Sequence, residues 1–304
     1  MNILILHQPF PMGNYKLHLN LANRLQAERH SVHTLQQFNA AEIPDHYISE
    51  YAELLNAKNY DAIYYEMLDL ATFELVKNLN CRNRILCIAT GGVWGFDNYE
   101  DKYGIYYDKI YTNDRIVYNN CKGKIPVDLF HYYFNCISES ELVFKPEYFH
   151  SLVFVGMGFN RLHDEQYANE REIFFNNPNL DLTIYGNGWE EHEQWRKVLP
   201  ENDLGSVYYS SDAAVAIIAG GQRSRGMINN RYSEIMYCEC PILTIKYPTV
   251  DWYGAEEFLT FVDSPESAIQ KLNDHDAQNT DKAKQFIINK DLEFMQKLQE
   301  LIKL

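Results

Sequence analysis

The sequence contains no apolar run of the ~18 residues that a membrane-spanning helix needs, and its mean hydropathy is −0.40. Dense basic runs are also missing. Lys and Arg number 27 against 42 Asp and Glu, for a net charge of −15. Sequence-independent nucleic-acid binding relies on cations that neutralise phosphates, so this balance argues against a dedicated DNA-binding module, though not against a local basic groove on an acidic enzyme. Cysteine is scarce. Six in 304 residues do not make a disulfide framework, and free thiols of a cytoplasmic protein are expected. Cys238 and Cys240 form a C-x-C with no second pair, short of the ligand count of a zinc site. The opening MNILILHQPF lacks a basic leader and a small-residue cleavage site, so it reads as a first strand rather than a signal peptide. There is no Walker A motif, no complete G-x-G-x-x-G, no short-period repeat and no low-complexity stretch.

What is present is an ordinary globular balance, 46% hydrophobic and 23% charged, in a chain longer than one typical core carries. The first half alternates short apolar runs with helical patterns. NILILHQP, SVHTLQQF, DAIYYEM, NRILCIAT and YDKIYTND read as strands, with KLHLNLANRLQAERH, SEYAELLNAKNY and ATFELVKNLN between them. Near Pro146 the sequence becomes a connector, KPEYFH, and the rhythm restarts with SLVFVGMG, DEQYANEREIFFNN and LDLTIYGNGW, then AAVAIIAG, PILTIKY and EFLTFVDS with PESAIQKLN. Strands separated by helical segments predict parallel βαβ units. The fold class expected is α/β, with two Rossmann-like doubly wound domains facing across a cleft. Residues 1–146 form the first, 147–285 the second, and 286–304 an amphipathic helix that packs back on the first.

In such sheets ligands lie at the carboxyl ends of strands, where this chain places three glycine turns: TGGVWGFDNY, VGMGFNR and YGNGW. Glycine after a strand lets backbone approach a ligand, and a following helix N-terminus can hold a phosphate. Tight turns with no ligand are the alternative. The segment AGGQRSRGMINNRYSEIMYCECPILT then sets Arg223, Arg225 and Arg231 before or at the start of a helix, with Asn229 or Asn230 as its N-cap. Helix dipole and guanidinium forks together suit a diphosphate. Glu234, in the first or second turn, suits the two hydroxyls of a ribose; an internal ion pair from Glu234 to Arg231 or Arg225 is the competing reading.

FVGMGFNR, LTIYGNGW, NNRYSEIMYCECPILT and FLTFVDSPESAIQKLN, in that order over residues 151 to about 272, resemble the donor-binding half of the GT-B glycosyltransferases, and within them the CgeB-like (spore maturation protein) group. RLQAERHSV is similar to a stretch of many GT-B acceptor domains. The resemblance implies that Glu234 holds the donor ribose, that Arg161 approaches the diphosphate, and that Asn230 and Arg231 are the polar pair before the helix. Gly158, Gly186, Gly188 and Trp189 would line the nucleotide. Two positions depart from the pattern: Gly226 stands where many retaining relatives carry an acid, and Glu239 where glycine is usual.

The implied reaction transfers a sugar from a nucleotide-sugar co-substrate, UDP being the commonest carrier, to a glycan or other hydroxyl acceptor. No further cofactor and no metal is required by that chemistry. The sole D-x-D, Asp274-His275-Asp276, lies in the hydrophilic stretch NDHDAQNTDK and reads as a solvated loop. An inverting enzyme needs a base for the acceptor proton: Asp97 is the first choice, with Glu66 and His7 behind it, and each competes with a purely structural reading. Nucleic acid enters only as an acceptor, a hydroxymethylated base of the kind that phage-type enzymes glycosylate. An epimerase or hydrolase of the nucleotide sugar, and a non-catalytic nucleotide-sugar binder, remain open.

Overall fold

The computed structural model describes residues 1–7, 13–36, 45–66, 75, 77–81, 83–88, 108–129, 136–158, 163–200, 202–274 and 279–303. The chain divides into two compact units. Met1–Tyr132 with Arg225–Met227 and Leu292–Leu304 make the first, and Tyr133–Ser224 with Ile228–Asp291 the second. Among the described residues no helix is long and apolar enough to cross a membrane.

The first unit holds β1 (Asn2–His7), α1 (Gly13–Ala27), β2 (Ser31–Gln36), α2 (Asp45–Asn56), β3 (Ala62–Glu66), β4 (Asn83–Ile88), β5 (Lys109–Thr112), α3 (Arg115–Cys121) and β6 (Val127–Leu129). The described strands form a sheet of order β2-β1-β3-β4-β5-β6, parallel throughout. Its core gathers Leu4, Leu6, Ala52, Leu55, Ile63, Ile110 and Val117. β6 is short, half-exposed and at the sheet edge, which leaves it without the apolar run that marks the inner strands.

The second unit begins with β7 (Leu152–Val155) and a helix, α4 (Ala168–Glu170), that widens at once into a π-turn over Arg171–Phe175, where Asn176 N–H reaches back to the Arg171 carbonyl at 2.7 Å. There follow β8 (Leu182–Tyr185), β9 (Trp195–Lys197), α5 (Leu204–Tyr209), β10 (Ala214–Val215), α6 (Gly220–Ser224), α7 (Asn230–Tyr237), β11 (Ile242–Ile245), β12 (Leu259–Val262) and α8 (Pro265–Asn273). The last helix, α9 (Thr280–Lys303), counts with this unit up to Asp291 and with the first from Leu292. Buried on both faces, β7, β8 and β11 read as the near-continuous apolar runs LVFV, LTIY and ILTI. α8 starts where its sequence dictates: the Ser264 hydroxyl accepts from Ser267 N–H at 3.1 Å and Pro265 takes the first helical position. The sheet order is β12-β11-β10-β7-β8-β9, all pairs parallel. Counted from its own first strand this is 3-2-1-4-5-6, the Rossmann order.

The run AAVAIIAG yields only a two-residue ladder, for a reason visible in its carbonyls. Those of Ala216, Ile217 and Ile218 accept from the Tyr232 hydroxyl (3.3 Å), Asn229 Nδ2 (3.0 Å) and Arg223 Nε (2.7 Å). The segment downstream thus takes these carbonyls with its side chains, while Ala216 N–H still donates to the Leu243 carbonyl of β11 at 3.1 Å.

Candidate functional site

In each sheet the strand order reverses next to the first strand, between β1 and β3 and between β7 and β10. Open α/β sheets bind ligands outside the carboxyl ends of strands at that reversal. In the first unit those ends are His7 and Glu66, on strands paired up to Leu6 and Tyr65. Asp97 and Trp94 lie outside the described residues.

In the second unit the ends of β7 and β8 are the two glycine turns, and they pack against one another. Gly156 N–H donates to the Tyr185 carbonyl at 2.9 Å and Gly158 N–H to the Asn187 carbonyl at 2.8 Å. A Cβ at Gly158 would lie 2.1 Å from the Gly188 oxygen, and one at Gly186 2.1 Å from the Gly156 oxygen. Gly186 (φ +132°) and Gly188 (φ +79°) also occupy left-handed backbone. Trp189 is fully buried beneath them, packed on Phe175 and Phe154 with centroids 4.7 and 5.6 Å away, and its Nε1 donates to the Gly156 carbonyl at 2.8 Å. Trp195 does the same for the Gly186 carbonyl at 2.8 Å. Both indoles brace the turns from the protein side. Arg161 lies outside the described residues.

Past β10 the three arginines take different places. Arg223 forms an ion pair with the fully buried Glu170, donates to the Gln166 carbonyl at 3.0 Å, and lies over the Tyr247 ring, 4.2 Å from its centroid. Tyr247 adds a 2.5 Å hydrogen bond to the same Glu170 oxygen. Arg225 belongs to the first unit and pairs with Asp114. Asp114 is buried and also caps α3, accepting from Ile116 and Val117 N–H at 2.8 and 3.2 Å.

Arg231 stands in the first turn of α7. Asn229 is the cap of that helix, its side chain accepting from Arg231 N–H at 3.1 Å, while its Nδ2 is held by the Ile217 carbonyl and, at 3.3 Å, by Gln222 Oε1. The positive end of the helix dipole is thereby fixed beside the end of β10. Asn230 Nδ2 donates to Glu234 Oε1 at 2.9 Å, and Arg231 Nη1 lies 3.1 Å from Glu234 Oε2. The same Nη1 donates to the Tyr208 hydroxyl at 3.2 Å. Glu234 is almost fully buried, whereas the Arg231 side chain keeps 28% exposure. Asn230, Arg231 and Glu234 are thus brought together, with Arg223 and Arg225 committed elsewhere. Tyr208, inside SVYYSS, and Glu170, inside EREIFF, carry no motif that marks them.

Cys238 and Cys240 are buried, and burial pushes both thiols up, so they stay protonated. Asp274 is the C-cap of α8, and its D-x-D companions His275 and Asp276 lie outside the described residues. Trp252 is buried, stacked edge-on against Tyr232 and Phe261 at 5.5 and 5.3 Å.

Residues 170–302, from Glu170 through α9, match a family model described as glycosyl transferase-like. By structure the whole chain superposes on proteins with two Rossmann-like domains. One is the E. coli trehalose-6-phosphate protein bound with UDP-2-fluoro glucose, with a TM-score of 0.62 at 8% identity, over 100% of this chain and 99% of that one. The chain has the GT-B fold. Another GT-B neighbour is HepE of Anabaena in complex with UDP-glucose, with a TM-score of 0.56 at 13% identity over 99% and 100% of the two chains. The UDP-GlcNAc 2-epimerase of Neisseria meningitidis bound to UDP-GlcNAc follows, with a TM-score of 0.52 at 8% identity over 96% and 100%. At these identities the likeness is one of fold. The sequence matches no curated protein.

Proposed function

We propose that this protein is a glycosyltransferase that takes a sugar from a nucleotide sugar, a UDP-sugar first among them, and delivers it to a glycan or other hydroxyl acceptor. The observation that carries the reading is the state of Arg231. Its Nη1 is committed to Glu234 and Tyr208, while Nε and Nη2 have no partner among the described residues and the side chain is partly exposed. A guanidinium edge with two parallel donors, beside a capped helix N-terminus, is a site for a diphosphate. Glu234, one turn on, is the carboxylate for the ribose hydroxyls, with Asn230 orienting it. The glycine turns 156–158 and 186–188 supply backbone along the nucleotide. Arg161 is a second contact to the diphosphate. The glycosyl transferase-like match over residues 170–302 covers this helix and supports the reading.

The chemistry breaks a sugar–phosphate bond as negative charge grows on the leaving diphosphate. Preorganised donors aimed at developing charge contribute about 3–4 kcal/mol each when deleted in well-studied sites, and Arg231 with the α7 N-terminus would act in this way. The acceptor's proton goes to a base sought among Asp97, Glu66 and His7. We place the enzyme nearest the CgeB-like group on the motifs quoted above.

The test is calorimetric titration with UDP, GDP and ADP on the parent protein and on Glu234→Ala. We expect one diphosphate to bind and the variant to lose at least tenfold in affinity, about 1.4 kcal/mol. Absence of binding by all three sinks the reading. Because epimerases share the fold, UDP-GlcNAc incubated without acceptor supplies the second arm: an epimerised or hydrolysed sugar would replace transferase by that activity.

A further inference from the structure

Tyr208 lies on α5 and is fully buried, so its ring cannot swing away. α5 is itself tied down, Ser206 Oγ donating to the Glu141 carbonyl at 3.0 Å and Ser211 Oγ to the Val207 carbonyl at 2.8 Å. The phenol oxygen accepts a hydrogen bond from Arg231 Nη1 at 3.2 Å, and Glu234 Oε2 lies at ion-pair distance, 3.1 Å, from the same nitrogen. Nη1 carries two hydrogens, and a guanidinium is planar. The one directed contact on this terminal nitrogen therefore comes from α5, and the carboxylate of α7 adds an undirected charge attraction, so the Tyr208 oxygen orients the group. The Nε–Nη2 edge, the one that matches two oxygens of a phosphate, carries no hydrogen bond or ion pair among the described residues.

We propose that Tyr208 is a positioning residue for Arg231, holding its Nε–Nη2 edge ready for the phosphates of the nucleotide. The inference rests on the donor site proposed above and adds to it a residue that need not touch the ligand. Burial keeps the phenol protonated and neutral, so it serves as an acceptor and brings no competing charge. Without the oxygen, Glu234 alone holds Nη1, the guanidinium turns about that single contact, and the cost falls on the phosphates and not on the nucleoside.

Tyr208→Phe removes one oxygen and keeps the ring. UDP and uridine are titrated into the parent, Tyr208→Phe, Arg231→Lys and the double variant, with thermal unfolding of each as the check on folding. The expected result is a dissociation constant for UDP raised about five- to tenfold in Tyr208→Phe, the loss of one hydrogen bond to a charged group. Uridine binding stays within about twofold. In the Arg231→Lys background the Tyr208→Phe change adds nothing, because the group it positions is gone. A parent that binds no nucleoside diphosphate removes the donor site and this inference with it. A parent that binds UDP while Tyr208→Phe binds it equally well, or loses uridine in equal measure, leaves the donor site standing and overturns the role of Tyr208.

Discussion

Substituting alanine for Gly158 tests the packing of the two glycine turns directly. The added Cβ would lie 2.1 Å from the Gly188 oxygen, 2.6 Å from its carbonyl carbon and 2.9 Å from Trp189 Cδ2, where ordinary contact begins at 3.4 Å. Two of these neighbours are backbone and the third is a buried indole, so no side chain can move aside. One turn must shift by about an ångström. Overpacking of this kind costs about 1–3 kcal/mol. A shift also strains the Gly158–Asn187 and Trp189–Gly156 hydrogen bonds, both 2.8 Å, at about 1 kcal/mol each. The expected loss is roughly 3–5 kcal/mol, read by urea denaturation followed through tryptophan fluorescence, with Trp189 at the point of change. Gly221→Ala is the control. Nothing lies within 4 Å of its Cβ, and alanine is the better helix former by up to ~1 kcal/mol, so that variant is neutral or slightly more stable. A Gly158→Ala protein within about 0.5 kcal/mol of the parent, the range of an unremarkable surface change, refutes the packing explanation for these glycines.

Three further outcomes are expected. Arg223→Ala leaves the Glu170 carboxylate buried beside Tyr247 without its cation and should cost about 3 kcal/mol or more in denaturant unfolding, with or without nucleotide; an unchanged midpoint would show that the pair is not structural. Glu239 has φ +56° and reaches Lys284 Nζ at 2.9 Å. Glu239→Gly relieves about 1 kcal/mol of left-handed strain but loses a salt-sensitive ion pair, so the variant should be near-neutral at low salt and the more stable of the two at ~1 M salt; equal ranking at both concentrations would contradict this. The Lys145 ammonium and then the Tyr148 hydroxyl hold the Asp203 carboxyl below its ordinary 3.8. The native state therefore takes up that proton later than the unfolded chain, so the stabilisation is complete above pH 3.8 and is lost as pH falls through the lower native value. Asp203→Asn should flatten that acid limb, and an unaltered pH profile would count against the pair.

The inner strands were legible because a strand buried on both faces must be apolar along its whole length, as in NILILH and LVFV. β6 and β9 were not, since each is three residues long and carries charge at the edge of its sheet. The run AAVAIIAG misled in the opposite direction. Its composition is that of a long strand, and the ladder stops at Val215 because side chains from residues 223, 229 and 232 take the next carbonyls. The glycine turns could be read as turns, while the demand for glycine comes from a second turn about 30 residues away, which no local pattern carries.

The arginine segment shows the same limit most sharply. In the sequence Arg223, Arg225 and Arg231 are three equivalent guanidinium groups in nine residues. Their fates are set by carboxylates at very different separations: Glu170 lies 53 positions from Arg223, Asp114 lies 111 positions from Arg225, and Glu234 lies three from Arg231. Only the last pair falls within helical periodicity, and it is the one whose internal ion pair sequence reasoning anticipates. The two distant carboxylates are buried, and a buried carboxylate must be paired. Each of those arginines is therefore drawn into a structural bond. Arg231 differs because Glu234 sits on its own helix and engages one terminal nitrogen, which leaves Nε and Nη2 without a hydrogen bond or ion pair among the described residues, the edge that the proposed function assigns to phosphate. Selection among the three arginines thus follows from where the fold buries its acids, and substituting Glu170 or Asp114 should destabilise the chain whether or not a nucleotide is present.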